Sequence, residues 1–569
     1  MNYEIAKIFY EMAMLLDMKE VAFKPRAYEK AGLIIETLEE DLKDIYKRGG
    51  LKALMGIPGI GQGIAEKIEE YIKTKRIRDY ERLKKRTPVD VGALTSIEGL
   101  GPKSVYKLYK KLGIKTVRDL EKAAKAGKLR RLEGFGEKSE QKILKGVEFA
   151  KKGQGRFILG FIWPTLKTVV ERIRGLPYVE IAEPAGSIRR MQETVGDLDI
   201  LVISKDPEKV MDYFVKMPEV NHIYAKGPTK TNVRLKNGMD ADLRVLSPKN
   251  FGAALQYFTG DKYHNIAVRE IAIKKGYKLN EYGLYKGKKL VAGRVEEEIY
   301  KKLGLEWIPP EIRTNSGEIE AAKNVTLPRI IEYGSLRGDL QVQTNWTDGQ
   351  NSIKEMAEAA KKNGLEYIVI TDHTKSLAMT GGLDEKKILK QMAEIDKIQR
   401  QVSGIKILKG AEVNILKDGR PDISNEVLAK LDVVGGAVHS NFNLTEKEQT
   451  GRLVKAMENP NIDIIFHPTG RVIQKREPYK VDMETLIKAA KRTRTVLEID
   501  AYPNRLDLKD EYIRKAVEAG VKLSIDSDAH STAHFQYLEL GVAQARRGWA
   551  TKNDIVNTRG WQDMLKLLK

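Results

Sequence analysis

The stretch "AGSIRRMQETVGDLDILV", residues 185–202, decides how the chain is read. Its second half reads as a strand, so Asp197 and Asp199, two residues apart, present both carboxylates to one face. Paired carboxylates on a rigid strand suit a hard cation such as Mg2+. Taken alone, D-x-D is an ordinary surface strand, and it is the neighbours that give it a chemical reading. Gly186 and Ser187 lie upstream, where a turn offers N–H and hydroxyl donors to phosphates, and Arg189 and Arg190 add cationic clamps. Asp242, in "DADLRVL" (240–246), brings a third carboxylate from a second strand. This combination points to two-metal phosphoryl or nucleotidyl transfer.

Around this segment lies a chain of 569 residues, too long for one hydrophobic core, so several domains are expected. Its net charge is +21, of which +17 falls on residues 1–335. Such a surface calls for a densely negative partner, most simply nucleic acid, the alternative being a merely solvated basic face. With no cysteine, any metal must sit on carboxylate, imidazole, amide or water. No apolar run approaches the roughly 18 residues that span a bilayer, and the N-terminus is amphipathic rather than leader-like. We expect no membrane association and a cytoplasmic, nucleoid-associated location.

The first 150 residues carry an internal repeat: "IPGIGQGIAEKI" from Ile57, "IEGLGPKSVYKL" from Ile97 and "LEGFGEKSEQKI" from Leu132. Each is a Gly-hydrophobic-Gly turn (Gly59/Gly61, Gly99/Gly101, Gly134/Gly136) leading into an amphipathic helix. This is a helix-hairpin-helix, whose glycines let backbone N–H groups approach a phosphate with no base contact. Three copies on a basic segment read as sequence-tolerant DNA backbone binding. Beyond Gly155 the texture becomes mixed, with "VGDLDILVIS" and "GMDADLRVLS" as strands. A polar connector follows near residue 316, and from 336 strands and helices alternate to the end.

The G-S-x-R-R…G-D-x-D pattern, the later D-L-R and "YFTGDKYHN" (257–265) resemble the family X DNA polymerases, the DNA polymerase β group. The resemblance covers nearly the first 315 residues. It implies gap filling in base excision repair on gapped or primer-template DNA with dNTPs, by a monomer using Mg2+ or Mn2+. In it Asp197 and Asp199 bridge both metals and Asp242 holds the catalytic one. Ser187 and Arg190, beside Gly186, bind the β and γ phosphates, while Arg189 is structural. Tyr257, Phe258 and Gly260 flank the incoming sugar, although the two aromatics also read as a core pair. Asn265 and Arg269 contact the nascent pair or template, and Arg244 supports the carboxylates. The resemblance further places a lyase lysine at Lys67, with Lys24 and Tyr28 as accessory residues. Gly63 stands where a phosphate-binding lysine belongs, and Lys107 and Lys142 recur at the same position in the other repeats. A plain solvated or phosphate-facing helix residue therefore stays open as the reading of Lys67.

Five of the seven histidines lie after residue 370, and four of them fall at strand ends: "IVITDH" at His373, "GGAVH" at His439, "IIFH" at His467, and "SIDSDAH" with Asp528 and His530. Glu412 ends "LKGAE", and "LEID" offers Glu498 and Asp500. Polar ligands at the C-terminal ends of successive strands are how a barrel-like α/β fold builds a metal site. This half, 336–569, resembles the PHP (polymerase and histidinol phosphatase) domain. The resemblance implies Mn2+ or Zn2+ on two sets, Glu412/His439/His467 and Asp348/His373/His530, and a third set on an opening H-x-H with Glu412 and Asp528. Here that motif is "LQVQ": Gln341 and Gln343 replace both imidazoles. An amide is a poor substitute for imidazole toward these ions, so 3′–5′ exonuclease or abasic-site endonuclease activity is expected to be absent or weakened.

The expected architecture is thus an all-α helix-hairpin-helix region (1–90 and 91–154), an α+β nucleotidyltransferase palm (155–245) and a small thumb (246–315). A linker (316–335) leads to a distorted TIM-like PHP barrel (336–569).

Overall fold

The computed structural model describes the chain apart from residues 20, 22, 37, 39, 40, 58, 96, 98, 153, 154, 378 and 379. The three glycine repeats each turn the chain into a helix, Gln62–Thr74, Pro102–Leu112 and Glu137–Lys152. Gly59, Gly99 and Gly134 sit at φ +84°, +88° and +82°, the left-handed region that costs a side chain strain. Gly61 and Gly101 cap the next helix with no side-chain hydrogen bond, leaving its first N–H groups open to an external acceptor.

The third copy differs from the sequence reading, which treated the three alike. Gly136 is exposed and precedes its helix as the others do, its carbonyl accepting from Glu140 N at 3.0 Å. That helix, however, carries Glu137 and Glu140 in its first turn, whereas the first turns after Gly61 and Gly101 hold no acid. Carboxylates there already complement the positive helix end and repel a phosphate, so Gly136 opens a poorer anion seat than Gly61 or Gly101. Glu140 is spent inside the repeat, accepting from Leu129 N and Arg130 N at 3.0 Å each and from Arg130 Nε at 2.6 Å. Two apolar clusters hold residues 1–154 together, one around Phe9, Ile35, Leu54 and Ile68, the other around Leu94, Val105, Leu108 and Val147.

Residues 155–471 and 477–569 form a second compact unit. Its first part is a five-stranded sheet in the order Val179–Pro184, Asp197–Ser204, Asp240–Val245, Lys230–Leu235, Val220–Lys226. The central pair is parallel and the other neighbours are antiparallel. The helix Phe251–Thr259 leads into a smaller part built of the helix Lys262–Lys274, three short antiparallel strands and the helix Glu296–Leu303. Val268, Leu284, Ile299 and Tyr300 form its core. The expected connector differs from the sequence reading: Glu318–Lys323 is a helix, and buried Ala322 packs into this same core. Its polar texture hid this because Glu318, fully buried, is satisfied by the His264 ring and two backbone N–H groups.

The last part is a sheet of seven parallel strands in sequence order, from Gly338–Val342 to Leu523–Asp526. Hydrogen bonds from Gln343 N to Ala529 O (2.8 Å) and Ala529 N to Gln341 O (3.3 Å) join its first and last edges into a nearly closed barrel. Strands such as "YIVI" (367–370) are apolar without alternation because helices cover the outside and side chains fill the inside. Among the described residues no helix is long and apolar enough to cross a membrane.

Candidate active sites

Parallel pairing of Asp197–Ser204 with Asp240–Val245 puts Asp199 directly beside Asp242, with Asp197 beside Asp240. Asp197, Asp199 and Asp242 therefore converge at one sheet end. Asp199 is the most enclosed: burial, then the charges of Asp197 and Asp242, push its carboxyl up to about 6. Such crowding of anions without enough positive charge is the condition a divalent cation relieves, so the residues fit one. Two partners of Asp242 had no signal in the sequence beyond strand register. Asn232, opposite it on the antiparallel neighbour, donates to Oδ1, and Lys230 Nζ lies 3.7 Å from Oδ2.

Gly186 faces this cluster at φ +62°, where a Cβ would stand 3.1 Å from Asp199 Oδ2. Only glycine lets the turn pass so close. Ser187 follows in the one-turn helix Gly186–Arg189. The two arginines separate cleanly. Arg189 is consumed by Glu296 (2.9 and 2.8 Å) and Thr259 Oγ1 (2.8 Å). Arg190 donates to the Thr259 carbonyl, and its buried Nε has no partner. It is the one with donors to spare for an anion.

Tyr257 and Phe258 are both half-buried and meet edge to face at 5.2 Å, and Arg244 lies 4.7 Å over the Phe258 ring. Gly260 abuts Arg190, where a Cβ would stand 3.1 Å from Nη1. Asn265 is engaged within the protein, its amide donating to Tyr257 O (2.7 Å) and accepting from Gln256 Nε2 (2.7 Å). Arg269 is exposed on the same helix.

Tyr28 and Lys67 are brought together, while Lys24 opens its helix in an exposed position. Lys67 Nζ is 3.2 Å from Asp79 Oδ2 and 3.3 Å from Gly63 O. Burial pulls Lys67 down, but Tyr28 and Asp79 outweigh it and the ammonium is held above its ordinary value. A Schiff-base lysine needs the opposite, a depressed pKa. Lys107, its counterpart in the second repeat, instead bonds the Glu133 carbonyl at 2.5 Å.

In the barrel Glu412, fully buried, is the hub. His439 Nε2 and His467 Nε2 each lie 3.0 Å from its Oε1, and His373 Nδ1 lies 3.3 Å from Oε2. Burial alone would raise this carboxyl, but the three imidazoles hold it well below the ordinary range. His373 and His530 each approach Asp348 Oδ2 at 3.6 Å. Among the described residues two groups have ligand atoms close enough to share an ion, Asp348/His373/His530 and His373/Glu412/His439, so His373 stands in both, while His467, expected with Glu412 and His439, touches Glu412 but falls in neither group. Their imidazole and carboxylate donors fit a divalent transition metal.

The opening strand does not fit the third position. Gln341 Nε2 and Gln343 Nε2 donate to Glu412 Oε2 at 3.1 and 2.8 Å. An ionised carboxylate only accepts, so both amides turn their NH2 ends inward, and each Oε1 is left buried without a partner. An NH2 group has no lone pair for a cation. Asp528 faces Arg505, whose Nε is 3.7 Å from its Oδ2 and 3.4 Å from Asp500 Oδ2. Arg505, in "YPNRLD", carried no sequence signal beyond a turn.

Comparison with known families matches a helix-hairpin-helix domain at residues 1–77, a SAM-like helix-hairpin-helix tandem at 91–148, a DNA polymerase beta thumb at 254–314 and a PHP domain at 339–530. The chain is 36% identical over 574 residues to a Bacillus subtilis protein named DNA polymerase/3′-5′ exonuclease PolX, covering 100% of this chain and 99% of the relative. It is also 30% identical over 218 residues to a probable phosphatase of Thermoanaerobacter sp., 37% of this chain and 84% of that one. A probable phosphatase of Caldanaerobacter subterraneus is 32% identical over 190 residues, 32% of this chain and 70% of that protein. With its whole length aligned to one such polymerase, and with thumb and PHP models both matched, the chain belongs to the family X DNA polymerases that carry a C-terminal PHP domain.

Proposed function

We propose that the chain is a repair polymerase that fills short gaps in DNA, working as a cytoplasmic monomer on gapped or primer-template duplex. The observation that carries this reading is the side-by-side register of Asp199 and Asp242 with Gly186 against them. Asp197, Asp199 and Asp242 would hold two ions, Mg2+ or Mn2+. When bound, these supply the charge that lowers the pKa of a primer 3′-hydroxyl and offsets that of the leaving pyrophosphate. Ser187 and Arg190 receive the β and γ phosphates, for which Arg190 keeps unused donors. Phe258, braced by Arg244, and Tyr257 crowd the sugar and disfavour a 2′-hydroxyl. Residues 1–90 and 91–154 grip the DNA backbone through the open N–H groups after Gly61 and Gly101, with Gly136 contributing less.

The test is extension of a labelled primer in a gapped duplex, with template-free DNA as control. Because Asp199 must lose its proton to ligate, the half-saturating Mg2+ concentration should climb steeply as pH falls through about 6 and flatten above pH 7. A pH-independent Mg2+ requirement would contradict the enclosed carboxylate.

In the barrel we infer that Mn2+ or Zn2+ binds at Glu412/His439/His467 and Asp348/His373/His530, and that strand cleavage is weak or absent. The support is the pair of amides facing Glu412 with their NH2 ends. Losing even one supporting partner typically costs about 10- to 100-fold in metal affinity or activity, and here two ligands are replaced. Gln341→His/Gln343→His should therefore bind one further Mn2+ per chain by mass spectrometry and begin to shorten primers without dNTPs. A second reading, an active nuclease on two ions, draws on the intact histidine clusters. It is favoured if the chain already shortens primers, still does so as Asp199→Asn, and stops as His439→Ala.

A further inference from the structure

The segment after Arg190 is held by the barrel. Glu193, three residues on, sends its carboxylate into a cationic socket made by the C-terminal half. Arg471 binds it through both terminal nitrogens, Nη2 to Oε1 at 2.5 Å and Nη1 to Oε2 at 3.2 Å. Gln544 Nε2 donates to Oε1 at 3.0 Å, and Arg547 Nη2 approaches the same oxygen at 3.4 Å. Arg547 also donates to the Met191 carbonyl, so two of the three residues that follow Arg190 are tied down. The socket is itself rigid. Arg547 and Gln544 are buried; Arg547 is fixed by Asp510 (3.1 Å), and Gln544 reaches the carbonyls of Leu506 and Leu508. Arg471 donates to the Leu506 carbonyl too.

The clamp connects to the phosphate-facing turn through short covalent and hydrogen-bonded steps. Gln192 N donates to Ser187 O at 3.0 Å and Met191 N to Ile188 O at 2.9 Å. Met191 holds a left-handed φ of 49°, a conformation a free loop would relax. On the other side, Leu159 N donates to Glu193 O at 3.0 Å, fixing where the segment enters the two-stranded ribbon that Thr194–Val195 forms with Phe157–Ile158.

We propose that Glu193 is a positioning residue for the nucleotide, and that the PHP barrel, through Arg471, Gln544 and Arg547, sets the place of Ser187 and Arg190 in the polymerase site. The barrel then serves polymerisation whether or not it cleaves DNA. This rests on reading Ser187 and Arg190 as the triphosphate ligands, and Arg190→Ala in the same assay separates the two claims.

Single-nucleotide gap filling by the full chain, with KM for dNTP, kcat, gapped-DNA affinity and barrel metal content, provides the measurement. Glu193→Ala should raise the KM roughly tenfold, since a displacement of about 1 Å in a positioned group costs up to about 100-fold. DNA affinity and metal content should hold. Glu193→Gln, which keeps one acceptor oxygen and loses the charge, should fall between. Glu539→Gln is the control. Glu539 joins the same two halves through Trp163 Nε1 (3.2 Å) and Lys167 Nζ (2.8 Å) but touches nothing near the turn, so its KM should be unchanged. Should Glu193→Ala fail to fold, Glu193→Gln and Gln544→Leu carry the test, both raising the KM. An unaltered KM in the folded Glu193 variants, or an equal rise in Glu539→Gln, overturns the proposal. If Arg190→Ala also leaves the KM unaltered, it is the reading of the turn that has failed.

Discussion

Asp199→Asn should reduce primer extension by about 1000-fold or more while leaving gapped-DNA binding intact. The substitution is nearly isosteric, so the strand Asp197–Ser204 and its pairing with Asp240–Val245 should survive. What goes is one negative charge at the most enclosed of three carboxylates. Metal-based charge stabilisation is worth several kcal/mol in a transition state, and about 4 kcal/mol corresponds to about 1000-fold in rate. The neutral amide would also be easier to bury than the ionised carboxylate of Asp199, whose pKa is pushed up to about 6 by burial and its neighbours. The metal-free variant should therefore melt at or above the wild-type temperature at pH 7.5. A variant that loses activity and stability together would mean that Asp199 is structural.

Glu296→Ala carries the largest expected stability loss. Glu296 receives both arms of Arg189 from the palm and both arms of Arg313, at 2.6 and 3.1 Å, with Trp307 Nε1 at 3.3 Å. Arg313 is fully buried. Removing the shared anion strands a buried guanidinium, which costs about 3–5 kcal/mol, against a total of about 5–15 kcal/mol for a typical domain. Urea unfolding of the palm and thumb should shift to clearly lower denaturant, with Glu296→Gln losing less because it keeps an acceptor. The pH dependence has a definite sign. Burial opposes ionisation of Glu296, but Arg313 and Arg189 prevail and lower it to about 2 from an ordinary 4.5. Its contribution is thus present above pH 4.5 and lost as pH falls toward 2. The gap between wild type and Glu296→Gln should narrow across that window. A constant gap would mean that packing, not charge, holds Glu296.

The polymerase half was legible because its signals are local. Gly-x-Gly turns dictate a left-handed backbone and a helix start, and D-x-D on a strand dictates a shared face. The barrel's histidines were legible for a similar reason, each closing a strand at the same end. Less legible was anything decided by a partner far along the chain. Arg189 and Arg190 are adjacent and chemically identical, and only the family resemblance told them apart; the physical reason, the Glu296 carboxylate 107 residues from Arg189, left no sign in the sequence. Lys67 was open between a reactive amine and a helix-surface cation, and nothing in its own repeat announced the Asp79 carboxylate that lies 3.2 Å from it.

What the sequence determined by itself is therefore the set of elements and the chemical groups they offer: three glycine-led helix starts, three strand-borne carboxylates, and imidazoles at the ends of successive strands, while only the family resemblance marks Gln341 and Gln343 as standing where imidazoles are expected. These follow from residue type and spacing along a few residues of backbone. What only the tertiary structure decided is how those groups are spent. It turns both glutamine amides toward Glu412, sets Asp199 against Asp242, and lets Arg471, Gln544 and Arg547 close on Glu193 from roughly 280 to 350 residues away. The reason is physical: a side chain's protonation, hydrogen bonds and freedom to meet a ligand depend on whatever charge and burial surround it. Those surroundings are assembled by contacts between segments whose separation in sequence carries no trace of them.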